Sequence, residues 1–280
     1  MQFLKVIEEQ YNSQVHLAYQ QIESKLENLC TLQSDVVGDR TYFNFSTAAA
    51  GRAGQKGFLG DIPLQGGALD RVPCDLTTDY AGDMIDEQDL SKTSVSGDLV
   101  ITTNTMGVMA REKDYKIIDA ASLTTNTIAN GSTGFTLTKA ETLWTKFQDG
   151  LVFERGEVPI VFVGSVQWRN LMRIPEFKSA DYIGHNDLPW LFTGAQRGRF
   201  WNDMIFKCHP LLQKVGNIRK CLAWVPSCIG FATDGKKKIK VAEIDMKDAI
   251  LYYTREKTGA CLIDATGCVS IDCDETWVYS

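Results

Sequence analysis

The feature that most constrains this chain is a glycine-rich stretch with extended flanks, between residues 38 and 82. Six glycines fall within 17 positions, from Gly51 to Gly67. Such a run has little apolar area to bury and loses much conformational entropy when it becomes ordered. Its flanks, Thr41–Phe45 and Asp70–Leu76, have the residue types of strands. We therefore predict a long hairpin loop without a core of its own, which is functional, mobile or ordered by a partner.

Residues 2–30 carry a stripe of apolar side chains. The apolar positions recur every three or four residues, which is the period of an α-helix. Two interpretations remain open: the helix packs on its own domain, or it is an arm that lies on a neighbouring subunit. In the second interpretation, the candidate contacts of the arm are Leu4, Ile7, Tyr11, Val15, Ile22 and Leu26. The loop adds two basic candidates for inter-subunit contact, Arg52 and Lys56.

The rest of the chain mixes helical and strand patterns, which indicates an α+β fold. A long helix is predicted at about 98–121 and a shorter one at about 138–151. Strands dominate after residue 158. The segments Gly259–Asp264 and Gly267–Asp274 flank a short turn, and we predict that they form a closing β-hairpin.

Composition and charge limit the classes of function. The chain has 280 residues, a formal net charge of −6 and a pI of about 5.2. This acidic balance argues against a dedicated DNA-binding module, which is usually basic. No apolar run approaches the ~18 residues of a membrane-spanning helix, so no membrane partner is expected. No secretory signal is visible, so we expect the eight cysteines to be reduced and mostly buried.

No motif for catalysis, cofactor binding or metal binding stands out. Gly51–Gly57 lacks the spacing of a P-loop, and Gly164-Ser165 lacks the second glycine of a nucleophile elbow. Cys208-His209, Cys221 and Cys228 could supply four metal ligands, but their gaps match no common zinc spacing. We therefore predict no catalytic residue, no cofactor and no metal, and we do not expect an enzyme.

Four segments form a recognisable series along the chain. Residues 107–120 read Gly-Val-Met-Ala-Arg-Glu-Lys-Asp-Tyr-Lys-Ile-Ile-Asp-Ala, residues 175–182 read Pro-Glu-Phe-Lys-Ser-Ala-Asp-Tyr, and residues 198–206 read Gly-Arg-Phe-Trp-Asn-Asp-Met-Ile-Phe. The fourth has Gly259-Ala260 and then Gly267-Cys268-Val269-Ser270-Ile271. In this order the segments resemble the major capsid protein of tailed double-stranded-DNA phages. The spine helix of that family carries Gly/Ala-Arg-x-x-Asp-x-x-Ile-Ile-x-Ala, and its end carries Gly-Ala…Gly-Val-Val-x-Ile.

The resemblance implies a tailed-phage capsid fold with five consecutive parts. These are an N-terminal arm helix (1–37), an extended loop (38–82), a first part of the peripheral domain with the spine helix (83–138), an axial domain (139–237) and the closing strands of the peripheral domain (238–280). It also implies a structural subunit of the virion, assembled in the cytoplasm of a bacterial host. Such subunits form pentamers and hexamers of an icosahedral shell through repeated contacts.

The resemblance also implies partners. They are other copies of the chain, a portal, and packaged double-stranded DNA that is faced without sequence specificity. No long charged helical segment precedes the arm in this sequence, so a separate scaffolding protein, or prior removal of such a segment, is expected. Two alternatives stay open: an encapsulin-like cellular shell protein that encloses a cargo enzyme, and an enzyme of unrecognised type.

Overall fold

The computed structural model describes residues 21–47, 55–56, 58–62, 66–86, 97–178, 199–244 and 249–277. Its helices are α1 (Gly97–Ser122), α2 (Leu137–Asp149), α3 (Ser165–Leu171) and α4 (Pro175–Lys178). Its strands are β1 (Thr31–Gln33), β2 (Arg40–Ser46), β3 (Leu69–Asp75), β4 (Thr77–Asp86), β5 (Thr127–Ile128), β6 (Ile160–Val163), β7 (Arg199–Trp201), β8 (Met204–Cys208), β9 (Lys214–Val215), β10 (Ile218–Trp224), β11 (Ile229–Thr233), β12 (Lys238–Ile244), β13 (Ala249–Leu262) and β14 (Cys268–Asp274).

A mixed sheet of seven strands holds the larger core. Its order is β5-β14-β10-β6-β8-β7, and β9 pairs with β10. β10 runs antiparallel to both β14 and β6, whereas β6 runs parallel to β8. All four residues of β6 are buried, as expected for an apolar run covered on both faces. The rings of Phe162 and Trp224 stack at 4.3 Å between centroids at the centre of this core.

A second sheet is built around the long strand β13. β4 pairs with one edge of β13 over ten residues, and β12 and β11 share the other edge. α1 lies on one face of this sheet, where every second residue of β13 is buried. Thr105 of α1 and Thr254 of β13 meet there, with 3.4 Å between their hydroxyl oxygens. The opposite face of β13 carries Tyr253, Arg255 and Lys257.

The flanks of the glycine-rich loop form the predicted hairpin. β2 and β3 pair antiparallel, from Arg40 opposite Asp75 to Ser46 opposite Leu69. The prediction of two extended flanks is therefore confirmed. β4 follows at once and belongs to the sheet of β13, so the hairpin is joined directly to that sheet.

The predicted helix over residues 2–30 is wrong where the structure describes it. Residues 1–20 lie outside the described ranges. Residues 21–26 are irregular, Glu27–Leu29 is a single 3₁₀ turn, and β1 follows. The physical reason is that a side chain of α1 takes the backbone N–H groups of Lys25 and Leu26, which a helix would bond to its own carbonyls.

The predicted closing hairpin is also wrong. Gly259–Leu262 lies in β13 and pairs with β11, whereas β14 pairs with β10 in the other sheet. The turn after residue 262 therefore carries the chain from one sheet to the other. β14 joins the seven-stranded sheet because it forms seven consecutive antiparallel residue pairs with β10. The segments predicted as 139–237 and 238–280 are thus joined within one sheet.

The predicted long helix at 98–121 is confirmed, and α1 is one residue longer at each end. The shorter helix predicted at 138–151 is confirmed as α2, whose N-cap is Thr136, with its side chain accepting from Lys139 N. Among the described residues, no helix is both long enough and apolar enough to span a bilayer.

Candidate functional site

α1 carries a buried carboxylate, Asp114, that holds the segment leading out of the N-terminal region. The residue is 0% exposed. It accepts a hydrogen bond from Ser24 Oγ at 2.6 Å and another from Gln21 Nε2. The backbone N–H groups of Lys25 and Leu26 also donate to it, each at 3.2 Å. One carboxylate therefore fixes the path of residues 21–26.

His209, which directly follows β8, faces the same carboxylate. Its Nε2 lies 3.4 Å from Asp114 Oδ2, at the outer limit of a hydrogen bond. Its Nδ1 accepts from the backbone N–H of Leu211 at 3.4 Å, which leaves Nε2 as the ring nitrogen that faces the carboxylate. Burial alone would raise the pKa of Asp114, but hydrogen bonds from His209, Ser24 and the neighbouring residues lower it below the ordinary carboxyl value.

Lys113, the residue before Asp114, links the same segment to β13. Its Nζ lies 2.7 Å from Glu256 Oε1 and 3.3 Å from Glu27 Oε2. Burial opposes the charge, yet the hydrogen bond and attraction of Glu256, together with Glu27, raise the pKa of Lys113 above its ordinary value. The ammonium is therefore held charged between an arm residue and a strand residue.

Charged pairs also fix the base of the β2–β3 hairpin. Arg40 and Asp75, which face each other across the two strands, form a two-pronged ion pair. Lys257 of β13 donates to Gly38 O at 2.7 Å and pairs with the carboxylate of Asp39. These pairs therefore link the base of the hairpin to β13.

Two glycines allow the hairpin base to approach the sheet closely. A Cβ at Gly230 would lie 2.7 Å from the Phe43 ring, and one at Gly259 would lie 2.3 Å from Asp75 O. Only hydrogen fits at these contacts. The hairpin base and the sheet share a small apolar cluster there, with Phe43, Cys74 and Cys261 among its buried members.

The far end of the loop exposes large apolar side chains. Phe58 is 97% exposed and Leu59 is 89% exposed, and Ile62 is exposed as well. Lys56 is exposed beside them. Exposed apolar side chains grouped in this way are typical of a contact site.

The predicted contact residues are distributed unevenly. Leu4, Ile7, Tyr11, Val15 and Arg52 lie outside the described residues. Ile22 is 49% exposed and remains available to a neighbour. Leu26 is 1% exposed and packs in the core of its own chain, in contrast to the predicted contact with a neighbouring subunit. The backbone N–H groups of residues 25 and 26 donate to Asp114, and these hydrogen bonds place Leu26 against the core.

Asp114 and the apolar loop tip are contacts that were not predicted from the sequence. A signal for Asp114 exists, because it interrupts an apolar helical stripe whose other members are Ala110, Ile117, Ile118 and Ala121. A charge in such a stripe is expected to have a buried partner. Phe58 and Leu59 have a weaker signal, which is their position among glycines where no core is available.

The described ranges show no cluster of three or more His, Cys, Asp or Glu side chains suited to a metal ion. Seven of the eight cysteines are buried and all eight are free thiols, with Cys208 exposed. The expected burial of most cysteines is confirmed. The hydrogen bonds and ion pairs described above attach segments of the chain to one another.

Residues 5–275 match the sequence profile of a family described as phage capsid protein. The chain belongs to this family. Its membership shows that this phage capsid protein is a structural subunit of the shell of a phage head, as the resemblance implied. No curated protein sequence is similar enough to give a match.

Solved structures share the fold of this phage capsid protein at low sequence identity. A chain of Mycobacterium phage Che8 has a TM-score of 0.67 at 13% identity, over 99% of this chain and 100% of that one. The capsid of Ralstonia phage GP4 gives 0.69 at 10% identity, and the capsid of a native GTA particle gives 0.71 at 11%. In both, the likeness covers 96% of each chain. The predicted α+β capsid fold is therefore confirmed.

Proposed function

We propose that this capsid protein self-assembles through pentamers and hexamers into an icosahedral head that encloses double-stranded DNA. In this proposal the loop of one subunit lies over its neighbour, and the arm before residue 21 lies between subunits. Residues 139–237 meet their copies at the five-fold and six-fold centres, and residues 83–138 with 238–280 form the peripheral part. Many weak contacts of this kind make a strong shell because they act together.

The observation that carries the proposal is the contrast between the two ends of the loop. Its base is fixed by ion pairs and by close packing against β13 and β11. Its tip presents Phe58 and Leu59 almost fully to solvent. An attached base combined with an uncovered apolar tip supports a contact made with another subunit.

Assembly of loop-tip variants tests this role. We expect Phe58→Asp with Leu59→Asp to block shell formation, because charged groups would be buried in the contact. The matched control, Phe58→Leu with Leu59→Met, keeps apolar side chains and should assemble. Sedimentation and electron microscopy measure the particles, and circular dichroism checks the subunit fold. Normal shells from the double aspartate variant would show that the tip is not a contact.

Limited trypsin digestion examines the same loop without mutation. We expect cleavage at Arg52 and Lys56 in dissociated subunits and protection in intact particles. Equal cleavage rates in the two states would contradict the proposal that the loop lies across a neighbour. The comparison is direct because the same bonds are followed in the same full-length chain.

We further propose a separate scaffolding protein and a portal as assembly partners, with assembly in the cytoplasm of a bacterial host. The contents of purified particles distinguish this proposal from an encapsulin-like shell. Nuclease-protected double-stranded DNA would support a phage head, whereas an enclosed enzyme without DNA would favour the alternative. A monomer or dimer with catalytic turnover would support the enzyme alternative.

A further inference from the structure

Three residues on one face of β13 contact the base of the β2–β3 hairpin. Side chains alternate between the two faces of a strand, so Lys257, Gly259 and Cys261 share the face that points away from α1. Lys257 donates to Gly38 O at 2.7 Å. A Cβ at Gly259 would lie 2.3 Å from Asp75 O, so the backbones of β13 and β3 leave room only for a hydrogen there.

The third of these contacts joins two thiols. Cys261 and Cys74 of β3 are linked by a side-chain hydrogen bond, and both lie in the small apolar cluster between the hairpin base and the sheet. Cys74 is 1% exposed and Cys261 is 8% exposed. A disulfide needs two backbones that approach closely, which is what the neighbouring Gly259 permits. The fold therefore brings together two cysteines that are far apart in sequence.

The two thiols differ in acidity. The hydrogen bond from Cys261 lowers the pKa of Cys74, and the charge of Lys116 acts in the same direction, against burial and the charge of Asp75. The same hydrogen bond, together with burial, raises the pKa of Cys261. Cys74 is therefore the sulfur that loses its proton first, and the thiolate is the form that reacts with oxidants.

Only a thin layer of protein separates Cys74 from solvent. Its neighbours along β3, Pro73 and Asp75, are exposed, so one face of the two-stranded hairpin is open to water while Cys74 lies on the other face. Local opening of the hairpin base would admit a small oxidant such as hydrogen peroxide without unfolding of the larger core.

We propose that Cys74 and Cys261 form a redox site, at which a peroxide converts the thiol pair into a disulfide that fastens the hairpin base to β13. The thiolate of Cys74 attacks a peroxide oxygen, the O–O bond breaks, hydroxide leaves and a sulfenic acid forms. The thiol of Cys261 then attacks this sulfur, the S–O bond breaks and a second water leaves as the S–S bond forms. The hydroxide takes up the proton that Cys74 lost, so two thiols lose two electrons and the peroxide becomes two waters.

The surroundings of the particle decide the state of this site. A reducing cytoplasm keeps thiols reduced, so the pair is a dithiol until the chain meets an oxidising medium. Both sulfurs belong to one chain, and the inference therefore does not rest on the loop contact proposed above. Because the bond joins distant parts of the sequence, it restricts the unfolded chain strongly and stabilises the folded one.

Treatment of the full-length chain with hydrogen peroxide tests this proposal. Cys208→Ser removes the exposed thiol beforehand. We expect thiol titration to show the loss of two thiols, and mass spectrometry to find the tryptic peptide 72–92 joined to 258–280, with the bond at Cys74 and Cys261. The midpoint of thermal unfolding should rise by about 5–10 °C and return to its first value after dithiothreitol.

Two single substitutions in the same background separate the roles of the sulfurs. Cys261→Ser keeps a hydroxyl that can donate to Cys74 but cannot form the disulfide, so Cys74 should accumulate as a sulfenic acid that dimedone labels. Cys74→Ser leaves only Cys261, which should stay unlabelled. Labelling of Cys261 in Cys74→Ser, with none of Cys74 in Cys261→Ser, would refute the assignment. Circular dichroism checks the fold of both variants.

A second thiol pair in the same chain is the matched control. Cys221 of β10 and Cys273 of β14 are also linked by a side-chain hydrogen bond, but both are 0% exposed, and burial raises the pKa of Cys221. This pair should stay reduced under the same treatment. Oxidation of Cys221 and Cys273 while Cys74 and Cys261 remain thiols would overturn the proposal. A bond from Cys74 to a second chain, or no bond at Cys74 at all, would also overturn it.

Discussion

Replacing Asp114 by asparagine tests how residues 21–26 are attached to α1. Asparagine has nearly the same shape, but it offers one acceptor oxygen where the carboxylate offers two, and its NH₂ group points a donor at other donors. Four donors of residues 21–26 converge on the carboxylate, and the backbone N–H of Leu26 among them is buried. Gln21 and Ser24 are partly exposed and can turn to water.

The expected magnitude follows from these differences. A buried N–H left without an acceptor costs about 1–3 kcal/mol, and loss of charge on the remaining hydrogen bond costs about 1 kcal/mol more. We therefore expect Asp114→Asn to lower the free energy of unfolding of the attached segment by about 3 kcal/mol. Local opening would then allow the amides of Lys25 and Leu26 to exchange about a hundredfold faster.

Hydrogen exchange with mass spectrometry on peptides that cover residues 21–30 measures this change in the unassembled chain. Asp119→Asn is the matched control, because Asp119 lies on the same helix, is exposed, and its carboxylate accepts one hydrogen bond, from Gln213. The control should change exchange by less than about threefold, as expected for a surface substitution. Unchanged exchange at residues 25 and 26 in Asp114→Asn would refute the assignment of Asp114 as the attachment point.

The lowered pKa of Asp114 predicts that its contribution to stability depends on pH. The pKa of Asp114 lies below its ordinary value in the folded chain, so the unfolded chain binds the proton more readily. The stabilisation by Asp114 is therefore complete above about pH 4, the ordinary carboxyl range, and is lost as the pH falls through the lowered pKa. The difference between wild type and Asp114→Asn should be constant from pH 5 to 8 and shrink below pH 4. A difference that changes between pH 6 and 8 would contradict the assignment of this stabilisation to Asp114.

Two further predictions concern packing. Gly259→Ala should lower the free energy of unfolding by about 1–3 kcal/mol, because its methyl group would overlap Asp75 O, whereas Gly66→Ala has open space and should change thermal unfolding little. A thiol reagent should modify one cysteine per native chain quickly, because only Cys208 of the eight is exposed. Cys208→Ser should abolish that fast reaction, and several fast thiols in the wild type would contradict the buried assignment.

Local patterns along the sequence predicted some elements well and others poorly. α1 and the β2–β3 hairpin were predictable because each depends on a pattern within its own stretch of sequence, a sustained helical period for α1 and strand-like flanks for the hairpin. The absence of a helix at residues 21–26 was not predictable. There the backbone N–H groups of residues 25 and 26 donate to a carboxylate more than 80 residues away in sequence. The placement of β13 and β14 in different sheets was not predictable either, since it depends on the pairing of β14 with β10, a strand outside the predicted hairpin. Long-range partners override local propensity in both cases.

Three consecutive residues of β13 connect the parts of the subunit that are proposed to meet its neighbours. Glu256 pairs with Lys113 beside the arm segment, and Thr258 accepts from Lys116 of α1 at 3.1 Å. Between them, Lys257 points to the opposite face and holds the start of the loop through Gly38 O. Because successive strand residues alternate between faces, one short stretch fixes the arm on one side of the sheet and the loop on the other.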